Sequence, residues 1–275
     1  MTEFQLRKKV CDIMQSWVGA TRGSTRHKEI LRIYNSYKPL PRGYAVQVGD
    51  AYCATTVSAA WIEANVASVA VIECSVPKMV SLAQARGIWV EDDKYSPNIG
   101  DAIVYDWEDG TNYASTDDKA YPDHVGIVVK NDDGKLWVVE GNMTGGKVGE
   151  RAVNVNGRYI RGFICPQYYK LAEPEKTTRQ IAMEVINGKW GVWPFRKSKL
   201  EAAGYDYDKV QAEVNRLLKS RVIYKVKAGD TLSQIAAWYC RTTPYTTNYQ
   251  IIAQDNDIKN PNIIYKGQRL YLYAK

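Results

Sequence analysis

Apolar residues recur at helical spacing early in the chain and at strand spacing later. Residues 6–17 and 28–37 read as amphipathic helices. From Cys53 onward, YCATTVSAAWIEAN sets Val57, Ala60, Trp61 and Ala64 on one stripe, which predicts a helix starting at the cysteine. Residues 102–105, 124–130, 135–140 and 158–165 read as strands. Helices followed by clustered antiparallel strands predict an α+β domain over residues 1–170. Residues 171–178, LAEPEKTT, are polar with a proline and read as a linker.

Two smaller blocks follow. Residues 179–220 carry helical stripes at Ile181, Val185 and Ile186, then Leu200, then Val210, Val214, Leu217 and Leu218. Residues 222–275 begin and end on strand-like runs, 224–226 and 268–273, with two helical patterns between them. Asp230 or Thr231 caps the first of these helices and Asp255-Asn256 ends the second.

The run DHVGIVV-NDDG-KLWVVEGN reads as a hairpin. A three-residue loop over 132–134, with Gly134 in the left-handed region, pairs 131 with 135. His124 then faces Asn142, and Glu140 faces Gly126, one diagonal step from His124. All three side chains share a face only in this register, since a one-residue slip sends Glu140 and Asn142 to the other side.

Composition describes an ordinary globular chain, with no apolar run long enough to span a membrane. The N-terminal segment mixes charges into its apolar residues and lacks the core of a secretory signal. The net charge of +7 is uneven: residues 1–178 sum to −1, 179–220 to +3 and 221–275 to +5. Such a basic end favours anionic polymers, nucleic acid or cell wall, but no recognition helix or RNA-binding signature accompanies it. Five cysteines without a C-x-x-C pair, and only two histidines, exclude a zinc-ligand set and make a disulfide framework unexpected. No metal and no cofactor is expected.

That leaves cysteine reactivity. Cys53 falls at a helix start, where unpaired N–H groups and the helix dipole favour a thiolate. A cysteine there, a strand histidine and a carboxylate or amide orienting it satisfy the logic of an activated nucleophile. Cys53 is the candidate nucleophile and His124 the base. Glu140 would hold the second imidazole nitrogen, and Asn142 would orient the ring or polarise the site. The Cys53 N–H is the natural oxyanion donor. Gln47 reads as a surface residue rather than a second donor, and His27, within STRHKE, as an exposed helix residue.

Residues 1–170 resemble the CHAP domain, the papain-like cysteine amidase/peptidase module of peptidoglycan hydrolases. The resemblance rests on YCATTVSAAW, PNIGDAIVYDW, PDHVGIVV and VVEGN. It implies the family's Cys, His, Glu and Asn at Cys53, His124, Glu140 and Asn142. Tyr52 stands where many relatives have Trp. Some relatives hold calcium ahead of the cysteine; LPRGYAVQVGDAY offers only Asp50, so no such site is expected, and Asp117 and Asp118 read as solvated loop residues. Trp107 and Tyr121 are candidates for the walls that set specificity.

The segments A-x-E-V-I-x-G-K-W-G, R-K-x-x-L and A-A-G-Y-D-Y resemble the three-helix cell-wall-binding repeat of phage lysozymes, although Val192-Trp193-Pro194-Phe195 replaces the Asn-Gly usual after W-G. Residues 222–275 are similar to LysM, a βααβ module that binds N-acetylglucosamine-containing glycans. That resemblance places ligand loops at Gly229, Asp230, Thr231 and Leu232 and at Asn260, Pro261, Asn262, Ile263 and Ile264. Tyr245 reads as a surface loop residue.

Together the resemblances imply an endolysin-like peptidoglycan hydrolase that cuts an amide bond, as N-acetylmuramoyl-L-alanine amidase or as stem or cross-bridge endopeptidase. The implied partner is bacterial peptidoglycan, its glycan and stem peptide, with no nucleic acid. The site of action is extracellular, reached by phage-type release or non-standard export. The alternative from another class is a non-catalytic wall anchor.

Overall fold

Thr2 opens the chain's first helix, α1 (Glu3–Ser16), through reciprocal bonds with Gln5 that satisfy two otherwise unpaired N–H groups. The computed structural model describes residues 1–107, 121–157 and 159–275. Asp117 and Asp118 therefore lie outside the described residues. Ser24 caps α2 (Thr25–Ser36). The third helix, α3 (Cys53–Glu63), begins at the cysteine as expected, but its expected single stripe is not what forms. Every residue from Cys53 to Trp61 is buried. Its Ala, Ser and Thr positions are small enough for α1, α2 and two strands to approach on several sides. Pro77 lies in the first turn of α4 (Val76–Ala85), which the periodicity did not reveal.

Six strands follow among the described residues: β1 (Trp89–Val90), β2 (Ala102–Tyr105), β3 (His124–Asp132), β4 (Lys135–Met143), β5 (Lys147–Asn154) and β6 (Ile160–Ile164). They form one antiparallel sheet in the order β1-β6-β2-β3-β4-β5. Ala102, Val104, Val125, Ile127 and Val139 join the helices in the main core. Alternate residues Ile103, Tyr105, Val128, Val138 and Phe163 build a second cluster on the opposite face.

The β3–β4 hairpin differs from the expected one. Asp132 pairs with Lys135, leaving a two-residue loop in which Asp133 and Gly134 have φ of 48° and 85°. Two successive positive φ angles make a primed turn, which matches strand twist. An irregularity between Val128 and Lys130 then shifts the ladder by one, so that Gly126 pairs with Glu140. The expected register holds from Gly126 to Val128 and fails toward the turn.

Two compact units divide the chain, Met1–Pro174 and Glu175–Lys275. The second holds α5 (Thr178–Ile186), α6 (Phe195–Ala202), α7 (Tyr207–Ser220), β7 (Val222–Lys225), α8 (Leu232–Thr242), α9 (Tyr249–Asp255) and β8 (Arg269–Leu272). Ile181, Val185, Leu200, Val210, Val214 and Leu217 form a helical core as expected, whereas Leu218 is exposed. The two expected modules lie together within this unit. Tyr273 inserts into the helical core, and Arg179 donates to Asp255 and to the Ala274 carbonyl, each at 2.6 Å. The boundary between the units falls within 171–178, where Ala172 packs on the first core and Thr177 caps α5. Among the described residues no helix is long and apolar enough to cross a membrane.

Candidate active site

Cys53 is the first residue of α3, and the N-cap Tyr52 makes no side-chain bond to the helix. The first-turn N–H groups and the positive end of the helix dipole are therefore presented at the thiol. Gly141 lets this end of α3 approach β4. A Cβ built there would lie 2.1 Å from the Thr56 hydroxyl and 3.1 Å from the Tyr52 carbonyl. Tyr52 is anchored in turn by donating to the Gly146 carbonyl at 2.8 Å.

His124 opens β3 opposite Tyr105. Its Nε2 lies 3.1 Å from Glu140 Oε2. Glu140 is fully buried, and Gly126 across from it has no Cβ; one built there would lie 2.6 Å from Glu140 Cγ. Burial works against a charged imidazole, but hydrogen bonding to Cys53 and Glu140, together with their charges, outweighs it and lifts His124 to about 9. The ring is thus bonded to the carboxylate and feels the thiol nearby.

Behind Glu140 lies a group that the sequence did not reveal. Arg151 Nε is 3.1 Å from Glu140 Oε1, yet neither atom is in hydrogen-bonding geometry, so the attraction is between charges alone. Tyr105 is raised well above its usual value, first by burial and then by the Glu140 charge. Trp107 stacks on Tyr105 at 4.9 Å, and the Arg151 guanidinium lies 5.1 Å from the Trp107 ring centre. Trp107, His124, Asn142, Met143, Thr144 and Arg151 line a cleft of about 290 Å³. Tyr121, the other expected wall residue, is 65% exposed and does not line this cleft.

Asn142 shares the cleft but does not stand opposite His124 in the ladder, as the sequence predicts. The β4–β5 pairing shifts between Glu140 and Met143, and Asn142 turns into the left-handed region at φ 55°. Asn tolerates that conformation better than most residues. Its Oδ1 accepts from Arg22 at 2.6 Å, and the same guanidinium donates to the Val48 and Asp50 carbonyls. Arg22 thus ties the segment before Cys53 to Asn142.

His27 corrects an expectation. It is fully buried, its Nδ1 accepts from the Gly23 N–H at 3.0 Å, and its ring centre lies 4.2 Å from that of Tyr52. Burial, followed by the Arg22 charge, lowers its pKa. Gln47 is exposed and donates to the Ala45 carbonyl, which agrees with the surface reading. Asp50 accepts from the Gln47 N–H and the Tyr44 hydroxyl. All five cysteines are free. Burial pushes Cys11 and Cys165 up to about 12, so both stay thiols at neutral pH.

In the second unit, Gly229 has φ 85°, and Asp230 Oδ2 accepts from the Lys227 N–H and the Tyr224 hydroxyl. Thr231 caps α8 in a box with Gln234. Leu232 is buried in the local core, so only its backbone can face a ligand. Asn260 accepts from the Asn262 N–H through Oδ1 and from the Ile263 N–H through its carbonyl. Ile263 is exposed, while Ile264 packs on the core. Tyr245 also packs on that core instead of standing in solvent.

No curated protein and no solved structure matches the chain. Two family models do: a CW_7 repeat over residues 179–218 and a LysM domain over residues 224–272, so that the second unit consists of two cell-wall-binding domains.

Proposed function

We propose that the chain is a peptidoglycan hydrolase in which residues 1–174 form a CHAP-like cysteine amidase or endopeptidase domain. The observation that carries the reading is His124, 3.1 Å from the buried Glu140 carboxylate and close enough to Cys53 for the thiol to raise its pKa. In this reading the Cys53 thiol passes its proton to His124, which becomes the imidazolium. The sulfur attacks the carbonyl carbon of a wall amide, and the oxyanion is met by backbone N–H groups at the start of α3. His124 gives its proton to the leaving amine. A water, deprotonated by His124, then cleaves the thioester and restores the thiol. Glu140 is a positioning residue that fixes the ring and stabilises its charge. Two wall-binding domains on the same chain raise the local concentration of the reacting domain on an insoluble substrate.

The test is to incubate purified peptidoglycan with wild type and with Cys53→Ala, following turbidity, sedimentation and the masses of released fragments. Wild type should clear the suspension, and Cys53→Ala should sediment with it without clearing it. Stem peptides beginning at L-Ala would identify an amidase, and cut stems or bridges an endopeptidase. Sedimentation of both proteins with no fragments from several wall types would defeat the reading and leave a wall anchor.

A further inference from the structure

Between α5 and α6 the chain exposes apolar surface that its own fold does not use. Val192 is 70% exposed, Trp193 73% and Phe195 69%, with Pro194 among them. Isolated exposed hydrophobics are common; three large ones within four residues at a loop tip are not. The tip is braced from within: Arg196 Nε donates to the Gly191 carbonyl at 3.0 Å, and its Nη1 reaches Gln211. Cations lie close to it in sequence, in a helical segment of net charge +3 over residues 179–220. Lys189, Arg196, Lys197 and Lys199 lie within eleven residues, and the acids facing them are Glu184, which meets Lys176 and Lys189, and Glu201, 3.8 Å from Lys197.

Three occupants compete for such a tip. A sugar ring needs donors and acceptors beside the aromatic face, and Val192, Pro194 and Phe195 offer none in their side chains, with no N–H at Pro194. A second copy of this chain would bring an identical, net-positive segment against the first. An anionic lipid surface satisfies both features. Its headgroups attract the lysines, and the boundary below them accepts the Phe ring and the Trp ring with the indole N–H still hydrated. We propose that residues 191–199 form a peripheral membrane-docking wedge for anionic phospholipid bilayers, with Trp193 and Phe195 as the inserted side chains.

The test is co-sedimentation of the full chain with mixed phosphatidylcholine–phosphatidylglycerol vesicles and with pure phosphatidylcholine vesicles. Wild type should partition onto the anionic vesicles about tenfold more strongly than onto the neutral ones. Trp193→Ser/Phe195→Ser should lose roughly tenfold or more of that binding with an unchanged far-ultraviolet spectrum, since neither side chain supports the core. Lys197→Glu/Lys199→Glu should weaken binding to anionic vesicles alone. Absence of wild-type binding to anionic vesicles overturns the proposal, as does equal binding by the Trp193/Phe195 variant. Without vesicle binding, loss of peptidoglycan affinity in that variant would make the tip a glycan platform. Loss of a wild-type dimer on ultracentrifugation would make it a self-contact.

Discussion

The two histidines respond to pH in opposite directions, and this gives the residue scale its tests. His124 is raised from 6.5 to about 9, so its protonated form stabilises the folded chain. That contribution is complete below 6.5 and fades as pH rises through 9. On the proposed mechanism the imidazolium is the proton donor, so kcat/KM should fall on the alkaline side near pH 9. Glu140→Gln removes a charge that supports the imidazolium and should move this limb to lower pH, measurable on a soluble muropeptide. His27 is lowered by burial, so below 6.5 the unfolded chain takes a proton that the folded chain refuses. Stability should drop as pH falls through that range, where His124 is already protonated in both states. Urea melts between pH 5 and 7 should show a shallower drop for His27→Gln than for wild type, and equal slopes would refute the assignment.

At the scale of elements, the placement of Cys53 beside His124 depends on two glycines without Cβ atoms. Gly141 lets the start of α3 sit against β4, and Gly126 leaves room for Glu140 to turn toward His124. Gly141→Ala would force a methyl group against Thr56, and a well-packed site gives way at a cost of about 1–3 kcal/mol. The expected result is a folded protein with a lower denaturation midpoint and a kcat reduced more than KM, because the thiol moves relative to the imidazole. An unchanged kcat would show that this contact does not position Cys53. Glu140 was readable from β3 and β4 because alternation fixes which side chains share a face. Arg151 lies beyond the Thr144-Gly145-Gly146 turn, a hairpin signal in the sequence that would have revealed β5 and its diagonal to Glu140.

For the whole molecule, the 175–275 unit joins its two wall-binding domains through Arg179 and Asp255, whose side chains are 20% and 3% exposed. Burial raises the Asp255 pKa although the Arg179 charge lowers it. Arg179→Ala would leave a buried carboxylate without its partner, a change that costs about 3–5 kcal/mol in comparable sites. Calorimetry of the full chain should resolve one transition for each unit, and only that of the second should move. The double variant Arg179→Ala/Asp255→Ala should recover part of the loss. If each single change left both transitions in place, the two domains would not depend on this ion pair.

Local rules determined much of this protein. Periodicity placed α1, α2, the start of α3, β2 and the hairpin strands, because hydrophobic spacing, capping and alternation act over a few residues. They also marked Cys53, His124 and Glu140 as residues able to meet. Tertiary structure alone decided the rest. His27 reads as polar surface in its own segment, and only the packing of α2 on Tyr52 buries it. Asn142 leaves the ladder because β4 must bend into β5, and Arg22 then holds it from a distant segment. The hairpin reached the expected pairing at Glu140 through a tighter turn and a compensating irregularity, since burial of Val128 and Val138 on one face selects the register wherever the turn begins.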